Sequence, residues 1–167
     1  MKRRTPVTYF LDGIEQFLRS FSPEEVAVTR VVFRRLLDGQ ATRPGALAGA
    51  LGLPPALVAM AVDRLVERGT TTVDPETGDV VGARGLSLAE TPHRLTLNGR
   101  GLYAFCAVDA VGIPAALEAD ARVESRCHGC WTAVVLTLTK GIVTEAPPGL
   151  LVWAAERDLT RPLHTYT

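Results

Sequence analysis

Cysteine, net charge and long apolar runs are all scarce in this 167-residue chain. Its three cysteines, Cys106, Cys127 and Cys130, are odd in number and too few for a disulfide scaffold. Lys and Arg total 18 and Asp and Glu total 18, so no overall field calls for nucleic acid or a membrane surface. Every apolar run is short and broken by Gly, Pro or charge, which leaves nothing of bilayer-spanning length. Met1-Lys-Arg-Arg4 has the charge of a signal-peptide start, but Asp12 and Glu15 interrupt the apolar stretch that should follow. Together these absences predict a cytoplasmic protein with reduced thiols.

The rest of the composition describes a globule. Hydrophobic residues make up 47% of the chain and charged residues 22%, a balance that argues against disorder. The length suits one domain or two small ones, and the pattern divides near residue 82. Ser22-Pro23-Glu24-Glu25 predicts a helix start, with Ser22 as N-cap and a stop near Asp38-Gly39. Two short helices follow, Pro44 to Leu53 and Ala56 to Arg68, in a helix-turn-helix arrangement. Thr70 to Val81 then predicts a β-hairpin around Asp74-Pro-Glu-Thr-Gly78. Residues 1–82 therefore read as a winged-helix-like helical module.

Such a module invites a DNA-binding role, and its charges resist it. From Arg43 to Arg84 there are four basic residues (Arg43, Arg64, Arg68, Arg84) against five acidic ones (Asp63, Glu67, Asp74, Glu76, Asp79). DNA affinity rests on cations meeting phosphates, and the helix beginning Pro55-Ala56 offers almost none. A packing or lid role is favoured, with the basic arm Lys2, Arg3, Arg4 left as the feature that would support nucleic-acid contact.

Residues 83–167 predict a small mixed β-sheet with a packed helix, making the whole an α+β protein. Leu86, Leu88, Leu95 and Leu97 alternate around Thr91-Pro92 as two short strands. Asn98 is placed as the cap of a helix carrying Leu102, Tyr103, Phe105, Cys106 and Asp109, which Gly112 and Pro114 end or redirect. Ala121 to Arg126 and Thr132 to Thr139 are strand-like, with Cys127-His-Gly-Cys130 in the turn between them, and Leu150 to Ala154 reads as a last strand.

Chemistry concentrates at Cys106 and Asp109. Residues three apart on a helix share a face, which sets a soft thiol beside a carboxylate. A thiolate captures a soft metal or attacks an electrophile, and the carboxylate can move a proton. A small Cys in an apolar helix is equally a packing residue. Tyr103 and Phe105 suit either an apolar pocket wall or the core, and His93 either a structural hydrogen bond or the border of a site. Cys127-x-x-Cys130 is spaced like half a zinc site or a thiol-redox pair; Cys106, His93, His128 and His164 would complete a ligand set only if the fold gathers them.

Three stretches carry a family resemblance. Gly85-Leu-Ser-Leu88 with Thr91-Pro-His93, then Leu102-Tyr-Ala-Phe-Cys-Ala-Val-Asp109 with Pro114, then Ala121-Arg-Val-Glu-Ser-Arg-Cys127 resemble the alkylmercury (organomercurial) lyase family. The resemblance implies a cytoplasmic enzyme that cleaves carbon–mercury bonds by protonolysis, without an organic cofactor. It implies that cellular thiols deliver a small organomercurial and remove Hg(II), and that the N-terminal module does not read DNA. Cys106 matches the cysteine that takes mercury, and Asp109 the carboxylate that relays the proton. Cys127 matches a cysteine with no catalytic role there, and Cys130 has no counterpart in the pattern.

The chain departs from that pattern in one respect. A second catalytic cysteine is expected a few residues before a His-aromatic ending. His164 and Tyr166 fit the ending, but no cysteine follows Cys130, and Leu159 or Thr160 occupies the neighbourhood. A hydroxyl is a poor mercury ligand beside a thiolate. Either an external thiol substitutes, or Cys127 or Cys130 reaches the site, or the function has changed. The alternatives to a lyase are a relative acting on another substrate, such as a natural-product intermediate, and a soft-metal (Hg, Cu or Zn) binder or regulator using Cys106, Cys127 and Cys130.

Overall fold

The computed structural model describes residues 17–152. The helix α1 (Pro23–Leu37) starts where the sequence places it. The Ser22 hydroxyl accepts the Glu25 N–H at 3.2 Å, and the Ser22 N–H donates to the Glu25 carboxylate at 2.7 Å, a reciprocal capping box. That carboxylate is almost wholly buried, and Arg64 and Arg68 approach it at 3.4 and 4.0 Å. Both arginines belong to the end of α3 (Pro55–Glu67), so one side chain caps one helix and ties it to another. Between them lies α2 (Pro44–Leu51), ended by Gly52 in the left-handed region. Val28, Val32 and Leu36 of α1 recur every fourth residue and are fully buried, as are Leu47, Val58 and Leu65 from the other two helices.

All the strands form one eight-stranded sheet in the order β1-β2-β3-β5-β4-β6-β7-β8. The hairpin β1 (Thr71–Val73) and β2 (Val80–Ala83) forms as expected. Asp74 makes its turn by accepting the N–H groups of Glu76 and Thr77 at 2.9 Å. A bridge from Thr42 to Val80 ties the hairpin to the helices. β2 then continues through Arg84 and Gly85, both with positive φ, into β3 (Leu86–Ser87). The sheet is thus continuous across residue 82, and one hydrophobic cluster runs from α1 to Leu138. Among the described residues no helix is long and apolar enough to cross a membrane.

The region around Cys106 differs from expectation. Asn98 caps no helix; with Gly99 it forms the tight turn of a hairpin, both residues at positive φ, between β4 (His93–Leu97) and β5 (Arg100–Ala104). The helix, α4, spans Ala107–Ala116, with Cys106 as its N-cap rather than in its body, and it continues through Gly112 and Pro114. Leu102 and Ala104 are inward residues of a strand, a period of two that resembles a helical face when only a few residues are sampled. α4 packs on β4, β5 and β6 (Ala121–Arg126), burying Ala110 and Ile113.

β6 and β7 (Ala133–Thr139) match expectation, but every pairing is antiparallel, so the sheet is not mixed. Hairpins join most neighbours, and α4 connects β5 to β6 without creating a parallel pair. A further edge strand, β8 (Ile142–Glu145), was not anticipated, because its four residues are all exposed and carry no burial pattern. Leu150 to Val152 lie outside any strand, and the remainder of the expected last strand falls beyond the described residues.

Candidate active site

Cys106 leaves β5 with extended backbone (φ −146°, ψ 170°) and caps α4. As at Ser22, the cap side chain accepts the N–H three residues on, but here the acid takes the thiol proton instead of the cap's backbone N–H. The Cys106 sulfur accepts the Asp109 N–H at 3.3 Å, and the thiol donates to Asp109 Oδ2 at 2.9 Å. Two chemically active groups are therefore locked together by the ordinary logic of a helix N-terminus.

Burial dominates the electrostatics. A helix N-terminus usually favours a thiolate. Here desolvation, followed by the charge of Asp109 and the hydrogen bond to it, pushes the Cys106 thiol up to about 12. Desolvation also raises Asp109, opposed by the hydrogen bonds from Cys106 and by His93. At neutral pH the sulfur consequently keeps its proton and aims it at a carboxylate that holds protons better than usual. The pair stores one proton between a soft nucleophile and a base.

Two surrounding elements hold Asp109. Gly85, in the β2–β3 turn (φ 82°), lies so close that a Cβ there would meet the carboxylate at 2.4 Å. The Gly85 carbonyl accepts the Phe105 N–H at 2.7 Å, which fixes the turn against the residue before Cys106. The neighbouring Arg84 donates from Nε to Thr29 Oγ1 at 3.0 Å, anchoring the turn to α1. Burial lowers the Arg84 pKa, and Arg30 adds to that effect. Arg84 and Gly85 were not singled out as site residues; the only available signal was a glycine between two short apolar strands.

His93 comes to the pair from β4. It lies opposite Ala104, its Nδ1 is 2.9 Å from Ser125 Oγ, and Asp109 is close enough to act on its charge. Burial lowers its pKa, with Asp109 pulling the other way. Thr91 secures the approach, donating to the Ala104 carbonyl at 2.6 Å and accepting the His93 N–H at 3.1 Å.

Tyr103 alternates with the buried Leu102 and Ala104 and so faces the other side of β5. Phe105 presses its ring on Gly82, where a Cβ would stand 2.9 Å from it. It lines a groove of about 580 Å³ with Thr72, Val81, Leu88 and Thr91, a lining that includes neither Cys106 nor Asp109. Cys127 and Cys130 share the β6–β7 turn. Among the described residues no three His, Cys, Asp or Glu side chains are gathered as a metal ion would require, so Cys106, Cys127 and Cys130 do not make one common site.

The fold is α+β, an antiparallel sheet with helices, and it carries a buried thiol–carboxylate pair at a helix N-terminus. Comparison with known proteins finds relatives of this fold. The family model described as alkylmercury lyase matches residues 86–165. The alkylmercury lyase of Pseudomonas putida is 36% identical over 127 residues, covering 75% of this chain and 58% of that protein. That of Streptomyces lividans is 35% identical over 102 residues, covering 57% of this chain and 47% of that protein. A crystal structure described as the mercury-bound form of MerB2 superposes with a TM-score of 0.83 at 28% identity, over 90% of this chain and 73% of that one. The chain is thus similar in sequence and fold to alkylmercury lyases. It spans little more than half the length of the Pseudomonas relative.

Proposed function

We propose that this protein cleaves the carbon–mercury bond of a small organomercurial by protonolysis, with Cys106 taking the metal and Asp109 carrying the proton. The observation that carries this is the 2.9 Å hydrogen bond from the Cys106 thiol to Asp109 Oδ2 in a buried setting. As the Cys106 sulfur bonds to mercury, its proton passes to the carboxylate already in contact with it. A second sulfur on the metal, from a small cellular thiol, adds electron density and weakens the carbon–mercury bond. Asp109 then returns the proton to carbon, the electron pair of the broken bond forms the C–H bond, and the hydrocarbon leaves. Hg(II) stays on sulfur until thiols remove it. No organic cofactor takes part, since the dyad, the substrate and the small thiol supply every proton and electron pair.

His93, neutral because it is buried, borders the dyad and orients on Ser125. The three helices and the β1–β2 hairpin act as a winged-helix-like support whose contribution is the Thr29 anchor for Arg84, not DNA contact. A reducing cytoplasm suits both the free thiols and the co-substrate thiol. The test is benzene release from phenylmercury by purified protein with excess small thiol. Catalytic release that disappears in Cys106→Ser is expected; no release by the wild-type protein, or full turnover by Cys106→Ser, would refute the assignment.

A further inference from the structure

The β6–β7 turn holds two thiols that the proposed chemistry does not use. Cys127 N–H donates to the Thr132 carbonyl at 2.9 Å, and Trp131 N–H donates to the Cys127 carbonyl at 2.8 Å, closing one helical turn over residues 127–131. Within that turn Cys127 and Cys130 stand three apart and share a side. The Cys130 thiol donates to Thr132 Oγ1 at 3.2 Å. Cys130 is exposed and Cys127 half-buried, so the pair is open to solvent on one side.

The turn lies at the end of the sheet where the dyad sits. His93 is opposite Ala104 in β5, and on its other side its ring meets Ser125 of β6. Cys106 and Cys127 each follow two residues beyond those neighbours. β5 and β6 flank β4, so their exits are two strand spacings apart, about 10 Å. Two cysteine side chains reaching inward from those exits, with metal–sulfur bonds of about 2.3 Å each, span a comparable distance, so an ion can pass from one sulfur to the next. These are two separate sulfur sites on one rim.

We infer that Cys127 and Cys130 form a dithiol site that accepts Hg(II) from Cys106 by thiol exchange. The origin of the metal rests on the proposed function; the existence of the site does not. A pair without a third ligand suits an ion satisfied by two thiolates in line, which Hg(II) is and zinc is not. The exchange balances without an oxidant. Two mercury–sulfur bonds break, one to Cys106 and one to the small thiol; two form, to Cys127 and Cys130. The two displaced protons pass to the two departing thiolates. Two sulfurs on one turn outcompete free monothiols, because the second bond forms at an effective concentration in the millimolar range or above.

The experiment uses the full chain carrying Cys106→Ser, which removes the dyad thiol. It is loaded with one equivalent of mercuric chloride in excess glutathione, desalted, and assayed for retained mercury by mass spectrometry. Trp131, 68% exposed beside Cys130, gives a local readout: in a Trp153→Phe background it is the sole indole, and bound mercury quenches it. Retention of one equivalent with quenching is expected, falling at least tenfold on adding Cys130→Ser, an exposed substitution on which folding does not depend. No retention by Cys106→Ser, or equal retention after Cys130→Ser, would overturn the inference. Neither outcome depends on benzene release, so failure of the lyase reading shows separately.

Discussion

At the scale of single residues, the proposed dyad is also a helix cap. Replacing Asp109 by Asn keeps a hydrogen-bond acceptor for the thiol but removes the charge that helps hold it near 12. Alkylation of Cys106 in the wild-type protein should therefore rise only toward pH 12, and in Asp109→Asn it should rise at lower pH, because a neutral neighbour no longer opposes the thiolate. Iodoacetamide kinetics with peptide mapping checks both curves. Hydrocarbon release by the same variant should fall at least about 100-fold, the usual worth of a positioned proton donor, while mercury still binds.

Gly85 allows a second residue-scale prediction. Its φ of 82° costs an L-residue about 1 kcal/mol or more, and any Cβ would occupy the place of the Asp109 carboxylate. Gly85→Ala should lower the rate more than tenfold and also shift the Cys106 alkylation profile to lower pH, as the carboxylate is driven off the sulfur. An unchanged profile would mean that the turn does not position the acid.

At the scale of elements, a cap side chain accepting the N–H three residues on appears twice with different consequences. Ser22 and Glu25 use it for stability alone. Glu25→Ala removes the cap and leaves Arg64 and Arg68 without their buried partner, and should cost about 2 kcal/mol in urea titrations. Cys106 and Asp109 begin α4 with weaker donors, and the sheet compensates by packing Ala110 and Ile113 beneath them. The elements that were misjudged are those where local signals compete. Asn98-Gly99 is a strong hairpin signal, yet Asn is also a good helix cap, and the alternation of Leu102 and Ala104 is too short to separate the two periods. β8 lies exposed on the sheet edge, and four residues without an inward face leave no pattern to read.

At the scale of the whole molecule, the helices and the end of the sheet bearing Cys106 form a connected structure. The β2–β3 hairpin spans the boundary at residue 82, Arg84 reaches back to Thr29 of α1, and the core cluster includes residues from both halves. Urea should therefore unfold residues 17–152 in one step, with far-UV circular dichroism and Trp131 fluorescence giving coincident midpoints. Two separated transitions would show that the halves are independent.

The sequence by itself determined the helix starts, the Asp74 turn, strands β6 and β7, and the chemical identities of Cys106 and Asp109. These depend on local physics: a capping hydroxyl, a turn-forming carboxylate, and alternation over six or seven residues leave their mark wherever the chain goes. Tertiary structure alone decided the protonation of the dyad, because burial, the largest influence on both groups, is a property of the surroundings. It also brought Gly85 and His93 to Asp109 from distant strands and set Cys127 and Cys130 apart from Cys106 on the same rim. Strand order sets those distances, and no spacing along the chain encodes it.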